Sequence, residues 1–169
     1  MSPPRTLPVM KKSPKKLEFD PSSAVQIEGA ILRLQSFREH SDQELLRKCQ
    51  SRGFGSDAVR QTLQSMAERG LQSNQRYMDA LIYARRRKGF GPARIRAELR
   101  DKGISGELVQ RGMGDCEESW PELLANLMEK KFQGKMATDP KEKAKQFRFL
   151  QYRGFTPEQI RRWMLSKGA

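Results

Sequence analysis

Apolar residues along this chain return every third or fourth position. Ile27, Ile31 and Leu34 form one stripe, Val59, Leu63 and Met66 another, and Tyr77, Leu81 and Ala84 a third. Ile95 and Leu99 follow, then Leu123 and Leu127 with Lys130-Lys131-Phe132 behind them, then Ala144, Phe147 and Leu150, then Ile160, Trp163 and Met164. Such spacing gathers side chains on one face of an α-helix, whereas a half-buried strand would alternate. It predicts nine short helices, over about 23–38, 41–52, 56–69, 73–88, 92–102, 105–113, 119–133, 139–152 and 156–166.

Polar punctuation supports those bounds. Ser41-Asp-Gln-Glu44, Ser119-Trp-Pro-Glu122 and Thr156-Pro-Glu-Gln159 fit the capping box, in which two side chains satisfy each other's free backbone N–H groups. Ser56, Ser73 and Ser105 can cap three more helices. Pro92, Pro121, Pro140 and Pro157 stand where a first helical residue has no N–H partner to lose.

The helices fall into three groups of three. Arg52-Gly53-Phe54-Gly55-Ser56 recurs as Lys88-Gly89-Phe90-Gly91-Pro92 and again as Arg153-Gly154-Phe155-Thr156-Pro157. In each, a cation ends one helix, a glycine takes the left-handed C-terminal position, an aromatic packs over the corner, and the next helix opens. Aligning the corners matches Val59 with Ile95 and Ile160, and Leu63 with Leu99 and Met164. Inserts around Asp115–Pro121 and Gly134–Pro140 then account for the wider second interval. The expected division is an arm over 1–21 and three-helix repeats over 22–71, 72–114 and 115–169. The arm is proline-rich and basic, with Lys11, Lys12, Lys15 and Lys16, and is expected to be disordered.

Composition narrows the chemistry. Only 36% of the residues are hydrophobic, too few for one large core but enough for small stacked units. Lys and Arg exceed Asp and Glu by 33 to 20, a net charge of +13, which attracts polyanions in a salt-sensitive way. No apolar run approaches the roughly 18 residues that a membrane-spanning helix needs, and the chain reads as cytosolic. His40 is the sole histidine, in a linker before a helix cap, and Cys49 and Cys116 are far apart, each a small apolar filler. That inventory offers neither a zinc set nor a nucleophile–base pair. Gly89-Phe-Gly-Pro lacks the Gly-Lys-Ser/Thr ending of a phosphate loop. The expectation is a non-enzymatic protein with no cofactor and no metal.

Tyr83-Ala-Arg-Arg-Arg-Lys-Gly-Phe-Gly-Pro-Ala-Arg-Ile-Arg-Ala-Glu-Leu-Arg-Asp-Lys-Gly-Ile104 resembles the central repeat of the RecX family. The positions that carry the likeness are Gly89, Gly91, Pro92, Arg94, Ile95, Glu98, Leu99, Lys102, Gly103 and Ile104. Phe147-Arg-Phe-Leu-Gln-Tyr-Arg-Gly-Phe155 is similar to the closing repeat, with Thr156 where the first two corners have glycine. The likeness runs from about Ala30 to Met164. It implies three three-helix repeats in a curved, elongated array. It also implies a protein that binds the RecA–DNA filament and inhibits the recombinase, ATPase and coprotease activity of RecA in DNA repair; single- and double-stranded DNA are the further expected partners, and a monomer is the favoured state. The alternative is a tandem helical protein that reads duplex DNA directly.

The candidate contact residues are cations without a local acidic partner. Arg85, Arg86, Arg87 and Lys88 close the fourth helix and spread around its circumference. On the fifth, Arg94, Glu98 and Lys102 have the spacing of intrahelical ion pairs, whereas Arg96 and Arg100 share a face with no acid in reach. Lys141, Lys145 and Arg148 run along the eighth helix and end at Tyr152, with Glu142 to one side, a stripe able to track a phosphate backbone. Arg161 and Arg162 rank lower because Glu158 is near. Phe54, Phe90, Phe155 and Trp163 are expected in the core.

Overall fold

The computed structural model describes residues 18–167, and over that span all regular structure is helical. Nine α-helices follow one another: α1 (Ala24–Gln35), α2 (Asp42–Gln50), α3 (Ser56–Glu68), α4 (Asn74–Arg87), α5 (Pro92–Asp101), α6 (Gly106–Gly114), α7 (Trp120–Phe132), α8 (Pro140–Arg153) and α9 (Pro157–Lys167). A 3₁₀ turn, Glu117–Ser119, leads into α7. No described helix is long and apolar enough to cross a membrane.

Each group of three encloses its own small core. In unit 1, α1–α3 bury Ile27, Ile31, Leu45, Cys49, Val59, Leu63 and Met66. In unit 2, α4–α6 bury Tyr77, Met78, Leu81, Ile82, Ile95, Leu99, Val109 and Met113, with Trp120 of α7 sealing the end. In unit 3, α7–α9 bury Leu124, Met128, Leu150, Phe155, Ile160, Trp163 and Met164. Cores this small leave the joints between units to fix the whole molecule.

The repeat register differs from the corner alignment expected from sequence. The corner at Gly89 lies between the first and second helices of its unit, while those at Gly53 and Gly154 lie between the second and third. The matching corner of unit 2 is Lys102-Gly103-Ile104-Ser105. Its glycine has φ 75°, beside 93° at both Gly53 and Gly154. These glycines stand at 53, 103 and 154, so the unit recurs every 50 or 51 residues. Val59 therefore corresponds to Val109, not Ile95, and the wide second interval is two whole helices, α6 and α7, not loop inserts. All these corners close alike. The N–H groups of Phe54, Ile104 and Phe155 donate to the carbonyls of Cys49, Leu99 and Leu150 at 3.2, 3.1 and 3.1 Å, the outer bond of a Schellman end.

Several local expectations change for identifiable reasons. Ser41 caps α2 through Glu44 N–H, Ser73 caps α4, Ser105 caps α6, and Thr156 and Gln159 complete a reciprocal box. Ser119 does not cap α7. Its hydroxyl donates to Cys116 O at 2.6 Å and accepts from Arg86. Ser56 is the first residue of α3 and Gly55 holds the cap position. Ala144 is exposed and Gln146 is buried instead, in the place held by Leu45 and Ile95 in the earlier units. The buried amide earns that place by anchoring the α7–α8 loop: Gln146 accepts from Ala137 N–H at 3.1 Å and donates to Lys135 O at 3.0 Å. The arm expected over 1–21 lies outside the described residues as far as residue 17. Its end is docked, not free: Pro21 O accepts from Gly55 N–H at 2.9 Å, and the Phe19 ring lies 5.1 Å from that of Phe54.

Units 1 and 2 meet through polar groups. Asp42, opening α2, accepts from Gln72 Nε2 and Asn74 Nδ2, both at 2.9 Å, and its own N–H donates to Asn74 Oδ1 at 3.0 Å. His40 is buried there, its Nδ1 2.8 Å from Arg38 O, and burial with the nearby Arg38 charge pushes its pKa down. Glu44 takes Arg38 at 3.0 Å and, from α5, Lys102 at 2.9 Å. Burial works against the Glu44 charge, but those hydrogen bonds outweigh it and hold the pKa at about 2. A carboxylate depressed on folding stabilises the protein above its ordinary value and loses that contribution as pH falls through the folded one. Between about pH 4.5 and pH 2, wild-type protein is expected to lose up to about 3 kcal/mol from this group. Glu44→Gln should flatten that acid branch in thermal melts taken across the same range. An equally steep branch in the variant would remove Glu44 as its source.

Candidate polyanion-binding surface

The candidate cations do not share one fate. At the end of α4, where the macrodipole favours positive charge, Arg85 is turned inward. Its Nε lies 2.7 Å from Glu98 Oε2 and its Nη2 2.5 Å from Glu98 Oε1, a two-pronged pair that depresses the Glu98 pKa against the effect of burial. Arg86 points the other way, donating to Ser119 Oγ at 2.7 Å with its guanidinium 5.3 Å from the Trp120 ring. It ties α4 to the start of α7. Both side chains, expected at a contact surface, are half-buried and bonded within the fold. Arg87 and Lys88 are exposed, Arg87 with its guanidinium 5.7 Å from the ring of Tyr83.

The expected ladder Arg94–Glu98–Lys102 along α5 does not form. Glu98 takes Arg85 and Lys102 reaches Glu44, because in each case a residue from another helix supplies a more enclosed partner. Arg96 is not free either: Glu117, in the turn before α7, stands 3.8 Å away. At that length, with both side chains substantially exposed, the pair contributes little. Arg100 is exposed and makes no ion pair among the described residues. Along α8, Lys141, Lys145, Arg148 and Tyr152 are all exposed. Lys145 also lies 3.4 Å from Glu142, which the expected stripe had placed to one side.

What draws part of this set together is the joint between units 2 and 3, where two corners meet back to back. Gly91 N–H donates to Arg153 O at 2.8 Å and Ala93 N–H to Gly154 O at 2.9 Å. Arg153 Nη1 donates to Lys88 O at 3.0 Å. Arg94 donates to Tyr152 O at 3.3 Å, with its guanidinium 4.2 Å from the ring centre of Phe90 and 5.5 Å from that of Tyr152. Arg153 stacks on Phe90 and Phe149 at 5.5 and 5.3 Å. Phe90 is thus half-buried, packed against the edge of the unit 2 core with guanidinium groups over its ring.

The joint places the Lys88 carbonyl against Arg153 and the Arg94 guanidinium against Tyr152, from which Arg148, Lys145 and Lys141 continue along one face of α8. Tyr152 is 73% exposed, its ring backed by Arg94. No hydrogen bond, ion pair or cation–ring contact among the described residues links Arg96 or Arg100 to this surface. Sequence reasoning missed Arg153 and set Arg94 aside. The available signal was that both belong to a corner, where a cation can reach an aromatic on either side.

The fold defines a class: a tandem array of three-helix units, here with a cation-rich surface at one joint. Residues 73–113 match the family model described as RecX, second three-helix domain, and 117–164 match that of RecX, third three-helix domain. A Regulatory protein RecX of Pseudomonas syringae pv. tomato is 37% identical over 144 residues, spanning 85% of this chain and 93% of that one. Another, of Pseudomonas fluorescens strain SBW25, is 38% identical over 138 residues, spanning 82% and 89%. The crystal structure of RecX from Lactobacillus salivarius superposes with a TM-score of 0.74 at 18% identity, covering 85% of this chain and 95% of that one. The chain belongs to the RecX family.

The motif that carries the likeness can now be read physically. Gly89 and Gly103 end helices at positive φ, Ile95, Leu99 and Ile104 fill the core, and Pro92 opens α5. Gly91 meets Gly154, Arg94 joins two rings across the joint, Glu98 holds Arg85, and Lys102 holds Glu44. The motif is the joinery of the middle unit with its two neighbours.

Proposed function

We propose that this protein binds the RecA–DNA filament and restrains the recombinase, ATPase and coprotease activities of RecA during DNA repair and recombination. The observation that carries the reading is the exposed run from Lys88 and Arg94 through Tyr152 and Arg148 to Lys145 and Lys141, in a chain of the RecX family with net charge +13. Three cations spaced along one helix face can follow successive phosphates or acidic side chains, and an exposed tyrosine backed by a guanidinium offers a ring for stacking. Direct reading of duplex DNA by α5 would fall to Arg96 and Arg100, because Arg94 lies against two rings and Lys102 is paired with Glu44.

Substoichiometric protein is expected to lower the rate of ATP hydrolysis by RecA on single-stranded DNA. An unchanged rate at equimolar protein would overturn the proposal. Co-sedimentation with RecA–DNA, compared with DNA alone at the same salt, separates filament binding from general attraction to phosphate.

A further inference from the structure

Unit 1 carries an apolar groove that the described chain leaves open. Phe19, Ala30, Leu34, Phe37 and Phe54 line a space of about 490 Å³, with Arg33 and Arg52 beside it. Phe37, in the α1–α2 link, is 89% exposed, and Phe19 is 56% exposed. A corner of the same Gly-Phe-Gly sequence in unit 2 is closed by the corner of unit 3. In unit 1, among the described residues, the Phe19–Pro21 segment lies over the corner, covering Gly53 and supplying a carbonyl to Gly55. Beyond that segment the ring of Phe37 stays in water.

The two arginines decide what fits. Neither Arg33 nor Arg52 forms an ion pair among the described residues. Glu28, on the same helix as Arg33, is held by Arg69, and Asp20 takes the N–H and hydroxyl of Ser22. The recess is concave, with aliphatic and aromatic walls, so it accepts an inserted apolar side chain better than the flat face of a base. Its rim asks for negative charge on either side of that insertion.

We infer that this groove is a docking site for an acidic protein segment that presents a bulky apolar side chain. The side chain enters between Phe19 and Phe37, and flanking carboxylates meet Arg33 and Arg52. The site is separate from the joint between units 2 and 3, and peptide binding to it is read without RecA, so its failure and that of the filament reading are distinguishable.

The probe is a fluorescein-labelled peptide, Asp-Glu-Asp-Leu-Glu-Phe-Asp-Glu, followed by fluorescence anisotropy with the full-length protein at low salt. Saturable binding is expected, weakened about tenfold or more by Phe37→Ser and abolished by Arg33→Glu/Arg52→Glu. Phe37 is so exposed that its replacement should leave the melting temperature unchanged, which circular dichroism checks. The control is Lys130→Glu/Lys131→Glu on α7, which changes net charge by the same amount at exposed positions and should weaken binding less than about threefold. Equal loss in that control would show attraction of any polyanion to a basic protein and overturn the site. So would unchanged binding by Phe37→Ser. Displacement of the peptide by oligothymidylate, with direct binding of labelled oligothymidylate lost in the same groove variants, would reassign the groove to nucleic acid and overturn the peptide reading.

Discussion

Gly91→Val is expected to open the joint between units 2 and 3 while each three-helix core stays folded. Gly91 has φ −84°, which any residue adopts, so backbone strain is not the cause. The cause is contact: a Cβ there would stand 2.6 Å from the carbonyl carbon and oxygen of Gly154 and from Phe155 N. These are backbone atoms of a corner pinned by its own hydrogen bonds, so they cannot swing aside as a side chain would. Separation forfeits the bonds from Gly91 to Arg153 and from Ala93 to Gly154, and exposes the stacked arginines and Phe90. Two hydrogen bonds at about 1 kcal/mol each, plus the lost packing, put the cost at about 3–5 kcal/mol. Hydrogen exchange should show the Gly91 and Ala93 amides losing protection while those of Leu99 and Leu150, inside the cores, keep theirs. The comparison is Gly55→Ala, where the nearest atom is Pro21 O at 3.7 Å and little change is expected. A single cooperative melt at the wild-type temperature for Gly91→Val would contradict this account.

The same joint explains what could be read in the chain and what could not. Helices were legible because apolar period, caps and positive-φ glycines are local properties, and each lies within a few residues of the structure it determines. The repeat register was misread because Gly-Phe-Gly does two jobs. Its first glycine ends a helix, while its second, at 91, permits a close approach that has nothing to do with the repeat. Thr156, where the first two corners have that second glycine, opens α9 instead, its N–H satisfied by Gln159 at 3.0 Å. The 50- or 51-residue unit was present in the sequence as cation-Gly-large apolar at 52–54, 102–104 and 153–155, but isoleucine at 104 broke the aromatic match. Ion pairs were the least legible part. Arg94 and Glu98 have ideal helical spacing, yet Arg85 reaches Glu98 across the α4–α5 corner with two hydrogen bonds. An exposed i,i+4 pair contributes a few tenths of a kcal/mol, so a better-enclosed partner readily displaces it. Of the candidate surface, Lys141 and Arg148 were legible as exposed because α8 presents them outward, whereas the Arg94 guanidinium behind Tyr152 comes from another helix. Lys88 was legible as exposed, but the bond from Arg153 to its carbonyl is a tertiary fact.

Lys141→Glu/Lys145→Glu/Arg148→Glu is expected to weaken binding to RecA on single-stranded DNA by on the order of a hundredfold at low salt. All three side chains are exposed on α8, so the core of Leu150, Phe155 and Ile160 beneath them is untouched. Glu at 141 falls in the first turn of the helix, where negative charge is favoured. The one ion pair disturbed, Lys145 with Glu142 at 3.4 Å, is exposed on both sides and contributes little to stability. The melting temperature should therefore stay close to wild type, and a loss of affinity would belong to the surface itself. If the cations meet phosphates, neutralising each with Ala in turn should lower the slope of log affinity against log salt by about one. If they meet acidic side chains of the recombinase instead, affinity should fall while binding to naked DNA, and its salt slope, change little. Arg100→Ala, from the face of α5 with no contact to this surface, should behave as wild type in both assays. Should Arg100→Ala abolish binding while the triple reversal leaves it intact, the contact surface lies on α5 and not on α8.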